Sequence, residues 1–262
     1  MILSDFHMHT SFCDGKDTAE EMVLAAIDKG LSMVGICTHS YLDYDLSYCI
    51  PRSKIGDYLK TISALKRKYK DKIKILCGVE QDMNSPLPTK DYDYVIGSLH
   101  DIDTIDGKVP IDMSEDVFVR CVKQYFGGDY YAYAQSYYQN VANVVDVTKC
   151  HIIGHFDLVS KYNDNGKYFD EDNPRYVKAY TDALDKLLLY NVPFEINTGA
   201  ISRGCKSTVY PNAKMREYIL SKGGKFILSS DSHSAENIAF FFDKAIELVP
   251  KESLVTNPLE KE

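Results

Sequence analysis

Short apolar runs recur along the chain, and between them lie longer stretches whose apolar residues return every three or four positions. The short runs are Ile2 and Leu3 leading to Asp5, then 33–37 (MVGIC), 73–77 (IKILC), 94–97 (YVIG), 152–153 (II), 192–196 (VPFEI) and 225–228 (KFIL). Runs this short, mostly without polar alternation, read as seven parallel strands buried on both faces. The longer stretches predict amphipathic helices over 18–29, 55–70, 173–191, 212–222 and 236–248. In the first, Thr18 and Glu21 make a capping box, Met22, Val23, Ala26 and Ile27 form the apolar face, and Gly30 supplies the stop. Repeated strand–helix units imply right-handed crossovers, and seven or eight of them close into an α/β barrel. Residues 101–150 break the rhythm. They show no strand signal, carry the tyrosine-rich DYYAYAQSYY, and read as a helical insertion after strand 4 in a single domain covering 1–262.

Composition removes several classes. With 262 residues, 45% of them hydrophobic, the chain can bury a substantial core. No apolar run approaches the roughly 18–20 residues of a membrane span, and the N-terminus lacks the basic start and apolar stretch of a signal peptide, so a cytoplasmic protein without a membrane partner is expected. The seven cysteines form no CxxC pair and read as reduced packing residues, Cys13 included. A net charge of −8 argues against nucleic-acid binding. Gly127-Gly128 is a turn without the context of a phosphate loop, and tyrosines 130, 131, 133, 137 and 138 at helical spacing read as core before they read as a stacking platform.

Candidate chemistry lies in the histidines. His7 and His9 (SDFHMHT) follow the first strand, where residues two apart point the same way. His39 follows the second strand, Glu80 ends the third in GVE, His100 ends the fourth in SLH, His155 ends the fifth in GHFD, and Asp231 and His233 end the last in SDSH. Barrel strand ends converge on one face, so six of the seven histidines share an address, and a common metal site follows. His151 begins a strand at the opposite end and reads as structural. Imidazole and carboxylate donors without thiolate suit Zn, Mn or Fe. Several cations around one carboxylate call for an anionic ligand and lower the pKa of a bridging water, which favours phosphate-ester hydrolysis.

These motifs, HMH with Asp14, THS with His39, GVE, SLH, GHFDL, EINTGAISR and SDSH, resemble the PHP (polymerase and histidinol phosphatase) family, and more closely its histidinol-phosphatase branch, over nearly the whole chain. The resemblance implies a distorted (β/α)7 TIM-like barrel and three divalent metal ions. One would be held by His7, His9, Glu80 and Asp231, a second by the bridging Glu80 with His100 and His155, and a third by Asp14, His39 and His233. It also implies a phosphate-binding arginine at Arg203; Lys161, after GHFDLVS, is a second basic candidate by its place at a strand end, and the donor chemistry itself calls for a metal-bridging hydroxide at the Glu80 site. Asp101 is a candidate leaving-group acid or a partner of His100. One position departs from the family, because Thr38 stands before His39 where an acidic residue is frequent. The implied activity is that of a metal-dependent phosphomonoesterase releasing L-histidinol and phosphate from L-histidinol phosphate, a small-molecule substrate, in histidine biosynthesis. The alternatives are a PHP phosphoesterase for another ester such as a nucleotide, or a non-catalytic metal-binding module; oligomeric state is not legible.

Overall fold

The computed structural model describes residues 4–260. Ile2 and Leu3 lie outside the described residues; the strand they lead into is present as β1 (Ser4–Asp5). The other strands are β2 (Met33–Ile36), β3 (Lys74–Asp82), β4 (Tyr94–Ser98), β5 (Asp101–Thr104), β6 (Gly107–Pro110), β7 (Ile152–Ile153), β8 (Phe194–Asn197) and β9 (Phe226–Ser229). Seven of them form one sheet in the order β1-β2-β3-β4-β7-β8-β9, with every pair parallel. Beyond β1 and β9 the sheet is drawn together by a bridge between Met8 and Ser232: His9 N–H donates to Ser232 C=O at 2.7 Å, and Ser232 N–H to His7 C=O at 3.1 Å. The result is a nearly closed, distorted (β/α)7 barrel whose seam is made by the segments that carry the first and last motif histidines.

The barrel interior explains two requirements of its strands. Phe6, Cys37, Leu76, Tyr94, Ile96, Ile152 and Ile227 meet in one buried cluster. Tyr94 spans it, its hydroxyl donating to Phe6 C=O at 2.5 Å. A Cβ at Gly35 would stand 2.3 Å from the Tyr94 hydroxyl, and one at Gly78 would stand 2.2 Å from its ring, so the large side chain needs glycines on β2 and β3. Apolar residues on the other faces pack under the helices.

Those helices are α1 (Ala19–Asp28), α2 (Ile55–Lys68), α3 (Glu115–Tyr125), α4 (Tyr130–Val141), α5 (Val144–Thr148), α6 (Pro174–Leu187), α7 (Gly199–Ser202), α8 (Ala213–Ser221) and α9 (Phe242–Ala245). Thr18 closes the expected capping box, and Asn173 and Asn212 cap α6 and α8 through their side chains. Two expectations are corrected. The stretch 101–150 is not wholly helical, because its first ten residues form the antiparallel β5–β6 hairpin; helices begin only at Glu115. The expected helix 236–248 is broken: Ala239 and Phe241 adopt left-handed backbone, and α9 is one turn long. The cause is Asp5, a fully buried carboxylate that takes the Ala239 N–H at 3.0 Å as well as Ser230 N–H at 3.1 Å, which locks this segment to the barrel seam and interrupts the helix. In the insertion, Tyr133, Tyr137 and Tyr138 are buried core residues, Tyr138 bonding Tyr176 at 2.9 Å between α4 and α6.

Candidate metal centre and active site

At the C-terminal ends of the barrel strands His7, His9, His39, His100, His155 and His233 come together around Glu80, joined by Asp14 and Asp231. Glu80 is at the centre. Its Oε1 lies 2.9 Å from His155 Nε2, 3.2 Å from His100 Nε2 and 2.7 Å from the Ser98 hydroxyl that donates to it. Its Oε2 lies 2.8 Å from His39 Nδ1, 3.3 Å from His7 Nε2 and 3.5 Å from His9 Nε2. Asp231 reaches the same point, with Oδ1 3.7 Å from His7 Nε2 and 3.6 Å from His9 Nε2. Asp14 bridges the remaining pair, 3.6 Å from His39 Nε2 and 3.2 Å from His233 Nε2. His9 stacks between His39 and His233, with ring centroids 4.1 and 4.4 Å apart, so it also joins the Asp14 corner.

Three observations fit this donor set to divalent cations. Glu80 Oε2 is sealed from solvent and accepts no well-formed hydrogen bond, although imidazole nitrogens surround it. The His7 and His9 Nε2 atoms face each other at 3.1 Å. Potential ligand atoms also converge in two overlapping groups, His9-Asp14-His39-His233 and His39-Glu80-His100, each lying within 4.8 Å of one another. The electrostatics agree. Burial disfavours the charged form of Glu80, but His7, His39 and His100 hold its carboxyl well below the usual range. Burial likewise opposes protonation of His7, yet Glu195, Asp231 and Glu80 raise its pKa well above that of a free imidazole. Positive charge is therefore strongly favoured at this point, and bound cations would take the place of those protons. Cys37 Sγ lies near His7 and His9, but burial pushes its thiol well up, so it stays protonated and points at Met8 C=O, 3.4 Å away.

Residues behind the histidines fix which ring nitrogen faces the centre. His7 Nδ1 lies 2.6 Å from Glu195 Oε1, which leaves the Nε2 lone pair for the site. Glu195 also accepts His155 N–H at 2.9 Å and the Asn197 side-chain amide at 3.0 Å. His100 Nδ1 lies 3.0 Å from Asp82 Oδ2, and Cys13 Sγ lies 3.5 Å from His9 Nδ1. Glu195 and Asp82 were missed in reading the sequence. The available signal was a carboxylate inside a buried strand run, PFEIN and VEQD, since such a group persists only with partners. Thr38 is buried and its hydroxyl donates to His39 C=O at 3.4 Å.

A pocket of about 300 Å³ opens over the cluster, lined by Asp14, His39, Glu80, His100, His155, Asp231 and His233 on its floor. Arg203 stands on its wall. The guanidinium donates to Asp231 Oδ2 at 3.0 Å and to Asp231 C=O at 2.8 Å, with His233 Nδ1 3.2 Å away. Asp231 itself has left-handed backbone, φ 49°, which turns its carboxylate back over the barrel end. Lys161 also lines the pocket, its ammonium held by the Asp112 carbonyl at 2.9 Å and carboxylate at 3.1 Å. Asp101 stands behind the lining, its carboxylate accepting the Tyr44 hydroxyl at 2.7 Å. His151 is at the far end of the barrel, where Nδ1 accepts Val95 N–H at 3.1 Å. Among the described residues no helix is long and apolar enough to cross a membrane.

Comparison with known proteins places this arrangement. The protein named "Probable histidinol-phosphatase" of Deinococcus radiodurans is 27% identical over 258 residues, covering 94% of this chain and 92% of its own. The histidinol-phosphatase of Lactococcus lactis is 26% identical over 271 residues, covering 94% of this chain and 90% of its own. The crystal structure of histidinol phosphate phosphatase from Lactococcus lactis, complexed with Zn, L-histidinol and phosphate, superposes with a TM-score of 0.70 at 23% identity, covering 97% of this chain and 95% of that one. The family model described as the PHP domain matches residues 5–199, from Asp5 in β1 to Gly199 just after β8, and by that match the chain belongs to the PHP domain family.

Proposed function

We propose that this chain is a metal-dependent phosphomonoesterase that hydrolyses L-histidinol phosphate to L-histidinol and phosphate. The observation that carries the reading is the convergence of six imidazoles and three carboxylates on a pocket whose wall also presents a guanidinium. The relatives named histidinol-phosphatase, aligned over more than nine tenths of the chain, support the substrate. The nine residues His7, His9, Asp14, His39, Glu80, His100, His155, Asp231 and His233 are proposed to hold three ions, with Zn, Mn and Fe all suited to the donors. When bound, such ions supply Lewis acidity toward phosphoryl oxygens and an activated water near neutral pH.

The chain's own side chains do the rest. Glu195 and Asp82 keep His7 and His100 in one tautomer and orientation. Arg203, anchored on Asp231, has further N–H groups to offer a phosphoryl oxygen, where charge builds up during transfer. Lys161, held by Asp112, adds a second positive charge on the same pocket. Asp101 fits a supporting role better than that of leaving-group acid, because its carboxylate is occupied by Tyr44 and lies outside the lining. The test is phosphate release from a panel of phosphomonoesters by the metal-loaded protein. L-Histidinol phosphate should exceed nucleoside monophosphates and p-nitrophenyl phosphate in kcat/KM; a preference for either of the others moves the assignment to a different PHP phosphoesterase.

A further inference from the structure

Five carboxylates line the pocket, and four of them have basic partners. Asp14 lies 3.2 Å from His233, Glu80 2.8 Å from His39, Asp231 3.0 Å from Arg203, and Asp112 3.1 Å from Lys161. The fifth is Asp45. Its Oδ1 accepts the Ser47 N–H at 2.8 Å, which fixes the carboxylate in a local turn, and among the described residues no lysine, arginine or histidine is ion-paired with it. The loop that carries it is braced, since the neighbouring Tyr44 hydroxyl donates to Asp101 on the β5–β6 hairpin.

The segments that carry Asp45 and Arg203 leave the barrel at well-separated strands. Asp45 lies in the loop after β2, and Arg203 follows β8; in the strand order β1-β2-β3-β4-β7-β8-β9 those two strands are about as far apart as a seven-stranded ring permits. With ions bound, the pocket would be positive at the histidine cluster and Arg203, while Asp45 contributes a carboxylate on the lining with no basic partner among the described residues. A phosphate at the cluster together with a cation beside Asp45 complements that distribution of charge, whereas an uncharged alcohol leaves the Asp45 carboxylate without a partner. We propose that Asp45 receives an ammonium group on the alcohol half of the substrate and so selects phosphate esters of amino alcohols. This rests on the phosphomonoesterase reading above and adds the residue that reads the leaving group.

Non-hydrolysable probes isolate the contact. Calorimetric titration of the metal-loaded protein with 3-aminopropylphosphonate and with propylphosphonate compares two ligands that differ only by the amine. In the wild type the amine should tighten binding about tenfold or more, the size of a charge-assisted hydrogen bond. In Asp45→Asn, and in Asp45→Ser as a second variant, that advantage should fall below about threefold, with metal content showing that the centre is assembled. An amine that gives the wild type no advantage, or an advantage that persists in both variants, overturns the proposal. Failure to hydrolyse L-histidinol phosphate would instead bring down the substrate assignment, and the binding ratio is read independently of it.

Discussion

The His7 imidazole and the Glu195 carboxylate lie 2.6 Å apart, both fully buried, and this one contact aims a histidine from the first strand at the centre of the barrel mouth. The same carboxylate takes the backbone N–H of His155, so it ties together segments that supply two different parts of the cluster.

Glu195→Gln keeps the shape but removes the acceptor charge behind His7. Metal affinity should fall roughly 10–100-fold, the usual cost of removing such a partner. Competition with a chromophoric chelator measures it, and wild-type affinity in the variant would show that Glu195 serves the strand alone.

Arg203→Ala should reduce kcat/KM by about 2–4 kcal/mol in transition-state stabilisation. The geometry adds a consequence that position in the sequence does not carry: because Arg203 holds Asp231 through two contacts, the variant should also lose metal from the His7–His9–Asp231 corner. Kinetics and metal analysis on one preparation check both effects. Full metal content with reduced kcat/KM would confine Arg203 to phosphate binding.

Much of this centre was legible because parallel barrel strands leave few choices: a histidine at the end of each short apolar run must reach the common face. His39, His100 and His155 could be placed from their runs alone. Glu195 and Asp82 could not, since a single acid within a buried run gives no direction for its partner. The β5–β6 hairpin was obscured by its polar sequence DIDTIDGKVP, although Asp106-Gly107 between alternating apolar residues is a hairpin signal. The break before α9 was hidden for another reason: it depends on Asp5, more than two hundred residues away in sequence.

Asp157 supplies a pH-dependent test of the scaffold. It is fully buried with Oδ1 unpartnered, and burial pushes its carboxyl up to about 6, against the pull of Lys206. A raised carboxyl binds its proton more tightly in the folded state. Stability is therefore lost as pH rises from the unfolded value of 3.8 through about 6, a total of about 3 kcal/mol. Asp157→Asn cannot ionise, so its stability relative to wild type should improve by about 1 kcal/mol between pH 5 and pH 8. Denaturant unfolding at the two pH values measures the difference; an equal gap at both would mean that Asp157 does not titrate in this range.

Glu80 and the imidazoles around it are proposed to form a metal-dependent phosphatase centre. The most direct test is to strip the protein with chelator, restore Mn, Zn or Fe in increments, and follow phosphate release from L-histidinol phosphate against ions bound per chain. Turnover should be absent at zero metal, rise with loading, and stay near background in Glu80→Gln, which should also bind less metal. Full turnover by metal-free protein, or wild-type loading and rate in Glu80→Gln, would contradict the account.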